Sequence, residues 1–102
     1  MKNNKIEENF EILRKLYTEP ESSQRELAKK VGLSLGKLNY CLQALKEKGF
    51  VKIKKFKKEH DKIGHIKYVL TTQGITLRTK LTANFMKRKM REYDELKMEL
   101  KK

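Results

Sequence analysis

The stretch SSQRELAKKVGLSLGKLNYCLQALKEKGFV, residues 22–51, decides the fold. Ser23 followed three residues later by Glu26 is a capping box. The serine hydroxyl can take the Glu26 backbone N–H while the glutamate reaches back to the serine's own N–H, so a helix is expected from Ser23 or Gln24. Leu27, Ala28 and Val31 give that helix one buried stripe, and it should end near Val31 because Gly32 can adopt the positive φ of a C-cap. Leu33 can plug the corner that follows, and Ser34 can cap the next helix. From Leu35 to Lys48 the apolar positions Leu38, Cys41, Leu42 and Leu45 share one face, and Gly49 closes the helix with Phe50 beyond it. Two helices joined by so tight a corner make a helix-turn-helix.

Working outward, Ile6, Phe10, Leu13, Leu16 and Tyr17 recur at three- and four-residue steps and predict an amphipathic helix over 4–18, stopped before the only proline, Pro20. Downstream, Val51 and Ile53 alternate with Lys52 and Lys54, and Ile66, Tyr68 and Leu70 with Lys67 and Val69, which predicts two short strands joined by a polar hairpin. Thr71 or Thr72 can cap a last helix running from 72 to about 100, longer than the core of a small domain needs. The expected fold is therefore mainly α (α+β): a helix-turn-helix, a two-stranded hairpin and a long C-terminal helix. The expected division is 1–71 for a compact domain and 72–102 for the C-terminal helix.

With 102 residues the chain fits one small domain, which buries only about 60–70% of its unfolded surface, so a catalytic cavity is not expected. No Gly-rich phosphate loop, carboxylate pair or nucleophile triad is visible, and an enzyme is not expected. Lys and Arg number 26 against 13 Asp and Glu, a formal net charge of +13 that implies a polyanionic partner. No apolar run approaches the ~18 residues of a membrane span, and neither a signal h-region nor a lipidation motif opens the chain, so a cytoplasmic protein is expected, with no membrane partner. The single cysteine, Cys41, fits a reducing compartment and lies on a buried helix face. His60 and His65, even with Asp61 or Cys41, do not make the four convergent ligands of a structural metal site, and no metal or other cofactor is expected.

The order helix, helix, turn, helix, hairpin, helix resembles the MarR-type winged helix-turn-helix regulators, best over residues 22–74. The likeness is carried by Glu26-Leu27-Ala28, Val31-Gly32-Leu33-Ser34, Leu38, Leu42 and Leu45, Lys48-Gly49-Phe50-Val51, and Leu70-Thr71-Thr72-Gln73-Gly74 in order. The tail, Phe85-Met86-Lys87-Arg88-Lys89-Met90-Arg91-Glu92-Tyr93 on to Leu96-Lys97, resembles a short MarR-like subfamily associated with exopolysaccharide gene clusters. The resemblance implies a winged helix-turn-helix with a two-stranded wing and a long C-terminal dimerisation helix, residues 1–71 being the DNA-binding domain and 72–102 the dimerisation helix. It also implies a sequence-specific double-stranded DNA-binding transcriptional regulator.

In such a fold the third helix enters the major groove by its N-terminal half, and its outward groups read bases. Those expected to do so are Lys37, Asn39, Tyr40 and Gln43. Asn39 and Gln43 lie four apart, and each amide can donate and accept in the pattern adenine presents. Backbone contacts are expected from Ser34 at the helix N-terminus, from Gly36, whose missing side chain lets DNA approach, and from Lys54, Lys55, Lys57, Lys58 and Lys62 of the hairpin. Lysine is a point charge, so such a wing supplies affinity and salt dependence more than sequence choice. Lysines also guard exposed strand edges. Two rival readings share the charge argument. An RNA-binding winged helix would favour stacking aromatics, for which Tyr40 and Phe56 are the candidates, and a winged-helix protein-interaction module would bridge an acidic partner.

Met86, Met90, Tyr93, Leu96 and Leu100 form an apolar stripe that wants a partner, and a homodimer through the C-terminal helix is expected, with Ile6 and Phe10 able to complete it. Residues 62–91 contain no acid, whereas Glu92, Asp94, Glu95 and Glu99 crowd the end, so an antiparallel pair sets basic against acidic halves.

Overall fold

The computed structural model of the chain describes residues 4–56 and 65–101, in the order α1 (Asn4–Thr18), α2 (Gln24–Val31), α3 (Leu35–Glu47), β1 (Val51–Phe56), β2 (His65–Leu70) and α4 (Thr72–Leu100). Each element stands where the sequence pattern puts it, and the caps explain why. Ser23 Oγ accepts the Glu26 N–H at 3.1 Å while the Glu26 carboxylate accepts the Ser23 N–H at 3.5 Å, completing the capping box. Gly32 ends α2 at φ 72°, in the left-handed region, and the Leu33 N–H donates to the Ala28 carbonyl at 2.9 Å. Ser34 then starts α3 by accepting the Lys37 N–H at 3.1 Å. The corner between α1 and α2 is held from outside by Lys30, whose Nζ lies 2.8 Å from both the Glu19 carboxylate and Ser22 Oγ, with Lys15 3.2 Å from the same carboxylate. Those two ammonium groups, Lys30 first, hold the Glu19 carboxyl below its ordinary range.

Ile12, Leu13, Leu38, Leu42 and Val51 are the fully buried side chains at the centre, joined by Leu27, Ala28, Cys41 and Leu45, with Leu33 packed against them at the corner. Burying each large aliphatic side chain contributes about 1.5–3 kcal/mol. Ile12 lies outside the stripe expected for α1. Its burial follows from α1 touching three elements, α2, β2 and α4, so that its apolar face is broader than one stripe. The strands pair antiparallel with Val51 opposite Leu70, Ile53 opposite Tyr68, Lys54 opposite Lys67 and Lys55 opposite Ile66.

The two ends of the hairpin meet at one clasp. Thr71 Oγ1 donates to the Gly49 carbonyl at 2.6 Å and accepts the Gly74 N–H at 3.0 Å, capping α4, and the Thr71 N–H donates to the Phe50 carbonyl at 3.1 Å. Gly74 is buried against that carbonyl, and a Cβ built on it would collide with the Phe50 oxygen.

From the clasp α4 runs 29 residues, about 44 Å at 1.5 Å per residue. Its first half belongs to the body: Leu77 and Leu81 pack on the core, the Arg78 guanidinium sits 3.8 Å above the Tyr17 ring, and the Phe85 ring lies 5.5 Å from that of Phe10. Beyond Arg88 every residue to Lys101 is exposed. The molecule measures 66 × 25 × 25 Å with a radius of gyration of 16.9 Å, against about 13 Å for a compact domain of this length. The projecting helix accounts for the difference.

Gly74→Ala should lower the unfolding free energy by about 1–3 kcal/mol through overpacking against the Phe50 carbonyl. Gly36→Ala, where nothing lies within 4 Å of the added carbon, should leave it unchanged or raise it by about 0.5–1 kcal/mol. Urea denaturation of both variants checks the pair, and equal midpoints would contradict the close approach at Gly74.

Candidate nucleic-acid interface

On α3 the buried side chains Leu38, Cys41, Leu42 and Leu45 define the inward direction. At about 100° per residue the opposite direction centres on Gly36, Tyr40, Gln43 and Glu47, with Asn39 at the edge of that face. All five are exposed, Tyr40 at 68%. Three of the four expected base-reading residues thus share one outward surface. Lys37 falls on the flank toward α1, its Nζ 4.0 Å from the Glu8 carboxylate. Glu47 is the member of the face that the sequence reading passed over. It is an acid one turn beyond Gln43 and disfavours phosphate there, which leaves the N-terminal half of α3 as the approachable part. The periodicity that marks Gln43 as outward could have found it.

At the head of the helix the Ser34 hydroxyl accepts the Lys37 N–H as a cap and keeps its own O–H as a donor for an anion. Gly36 opens on empty space. Gln43 is not isolated: its Nε2 donates to the Tyr68 hydroxyl at 3.0 Å, joining α3 to the wing across 25 residues of sequence.

In the wing, Lys54 and Lys67 stand directly opposite each other on the face away from Val51 and Leu70. Like charges so placed cost stability, a cost that an anion between them relieves. Lys67 also reaches the Glu21 carbonyl at 3.3 Å, tying β2 to the α1–α2 loop. Lys55 is on the other face from Lys54, because successive strand residues alternate, so these two expected backbone contacts are not brought together. Lys57, Lys58 and Lys62, together with His60, lie outside the described residues.

The stripe expected to pair in a dimer is open to solvent, from 57% exposed at Met86 to 88% at Leu100, with Met90, Tyr93 and Leu96 between. Arg88 does not turn to Glu92. Its guanidinium lies 3.8 Å from the Glu7 carboxylate of α1, and Lys89 takes Glu92 at 3.3 Å. Between α1 and α4, Ile6, Phe10, Leu81 and Phe85 line a groove of about 240 Å³. Among the described residues no group of three His, Cys, Asp or Glu side chains converges on a point, and no described helix is long and apolar enough to cross a membrane.

Residues 9–52, from the middle of α1 to the start of β1, match the family described as winged helix-turn-helix DNA-binding. Among solved structures, the PcaV transcriptional regulator from Streptomyces coelicolor is similar at 22% identity over 78% of this chain and 54% of that one, with a TM-score of 0.64. Staphylococcus aureus MarR is similar at 17% identity over 85% and 56%, with a TM-score of 0.67. The S. aureus MepR–DNA complex is similar at 22% identity over 89% and 73%, with a TM-score of 0.62. The chain spans little more than half the length of the first two. The architecture is that of the winged helix-turn-helix, and at these identities the likeness to the three regulators is one of fold. No curated protein matches the chain.

Cys41 sits under this surface, 6% exposed. Burial, with Glu8 adding to it, pushes its thiol above the ordinary range. Stability tied to that thiol is therefore full below the ordinary thiol range and is lost as the pH rises through the raised value. Native protein at pH 8 should react with a thiol reagent at least about tenfold more slowly than unfolded protein, in which the ordinary pKa of about 8.5 returns. Stopped-flow labelling with and without denaturant reads the ratio, and equal rates would place the thiol outside the core.

Proposed function

We propose that this chain binds double-stranded DNA as a transcriptional regulator in the cytoplasm, acting by binding rather than by catalysis. The N-terminal half of α3 lies in the major groove, with the lysines of the wing on the phosphates. The observation that carries this is the exposed polar face of α3, open in front of Gly36, beside lysines of a hairpin in a chain of net charge +13. The MepR complex with DNA, on the same fold, supports it. On this reading Asn39, Tyr40 and Gln43 meet base edges, Lys37 leaves Glu8 for a base or a phosphate, and Ser34 and Gly36 meet the DNA backbone.

The active form is an antiparallel homodimer through α4. The projecting helix carries an uncovered apolar stripe, and the groove beside Phe10 and Phe85 gives a partner helix a place to begin. Two-fold symmetry then sets two recognition helices toward successive major grooves about 34 Å apart. Control of exopolysaccharide genes is the finer assignment, and the likeness of the 85–97 tail is its support.

Binding to duplex DNA should weaken with salt, log K falling against log salt with a slope of about −5 to −9 for ~6–10 neutralised phosphates. Gly36→Ala, neutral for folding, should lose at least about tenfold in affinity, equivalent to about 1.4 kcal/mol. Fluorescence anisotropy across a salt series measures both, and a flat slope would remove phosphate binding. For the dimer, spin labels at Leu100→Cys in a Cys41→Ala background should lie roughly 30 Å apart if antiparallel and about 10 Å apart if parallel.

A further inference from the structure

Gln43 stands almost opposite the buried side of α3 and carries a flexible side chain, which must be ordered before it can read anything. It is already held. Its Nε2 donates to Tyr68 Oη at 3.0 Å, and that oxygen is itself fixed, because the Tyr68 ring is half-buried and packs against the core from β2. Beside it, Leu16, Leu27 and Leu42 line the groove under the wing, so the ring has an apolar seat.

The chemistry of the amide makes this bond compatible with base reading. A glutamine that reads adenine uses its carbonyl oxygen, which accepts from N6, and the amide hydrogen cis to that oxygen, which goes to N7. The second hydrogen, trans to the oxygen, has no part in such a pair and is available to the tyrosine. A rigid hydroxyl holding that spare hydrogen leaves one orientation in which the remaining donor and acceptor face outward together.

We propose that Tyr68, a wing residue, is a positioning residue for base recognition: it holds the Gln43 amide in its reading orientation, so the wing sets sequence preference as well as phosphate affinity. This rests on the proposed reading in which α3 enters the major groove and Gln43 meets a base. The pair sits on exposed surface, so the hydroxyl contributes little to folding. Preorganisation lowers the entropy lost when the correct base is met and makes the wrong base meet a group that cannot turn to suit it.

The test uses the full chain and a duplex enriched by the wild-type protein from a random-sequence pool, with a scrambled duplex of equal length. Tyr68→Phe keeps the ring and should leave the melting temperature, the scrambled-duplex affinity and the salt slope unchanged. The preference for the enriched duplex should fall about three- to tenfold, the worth of one net hydrogen bond. In a Gln43→Ala background Tyr68→Phe should have no further effect, whereas its effect should persist in full beside Asn39→Ala. Undiminished preference in Tyr68→Phe, an equal loss on both duplexes, or additivity with Gln43→Ala would overturn the inference alone. A wild-type chain with no preference for any duplex would overturn the base-reading function along with it.

Discussion

Two carbonyls and one threonine hold the parts of this molecule in their places. Thr71 Oγ1 bonds the Gly49 carbonyl and the Gly74 N–H, while the Thr71 N–H takes the Phe50 carbonyl. The residues entering the hairpin and those leaving it are thereby fastened at one point. Closing a loop costs entropy that rises only slowly with its length, so a clasp at the base suffices to fix the register of a hairpin. Val51 then faces Leu70, and every later pair follows. The same clasp caps α4 and sets its direction. Gly74 is what allows it, since any side chain there would stand where the Phe50 oxygen stands. The angle of the wing against α3 and the exit of α4 from the body are two results of one contact.

Much of the fold is legible in the sequence because its signals are local. Ser23 with Glu26, Gly32 and Ser34 act within four residues of themselves, as Thr71 does where it caps α4 through the Gly74 N–H, and the chain folds at each as the pattern says. What was not legible depends on what an element meets in space. Ile12 is buried because α1 has three neighbours, a fact no window on α1 contains. Arg88 turns to Glu7, some eighty residues away in sequence, rather than to Glu92 on its own helix. The first half of α4 packs with the body, whereas its spacing alone reads as one continuous arm.

The candidate site divides in the same way. The outward face of α3 follows from 100° steps away from Leu38 and Leu42, and Asn39, Tyr40 and Gln43 fall on it as periodicity requires. Lys37 is drawn to the flank by Glu8, and Lys54 and Lys55 part to opposite faces of the hairpin, although the run of lysines looks uniform as text. The bond from Gln43 to Tyr68 could not be read at all. It joins a helix to a strand whose relative placement is settled by the clasp between them.

The projecting end of α4 has a consequence for how the chain opens and closes. A helix of a dozen residues with nothing packed against it is marginal in water, because fixing its first turn is costly and each later turn returns little. Here that cost is met inside the body, where Leu77, Leu81 and Phe85 are held, and the remaining turns only propagate. The free energy of local opening should therefore grade along one helix, highest beside Gly74 and falling toward Leu100, with no boundary to mark a change of element. A single unbroken rod is thus rigid at its root and frays at its tip, and whatever covers the outer stripe gains by stiffening the end that is loosest.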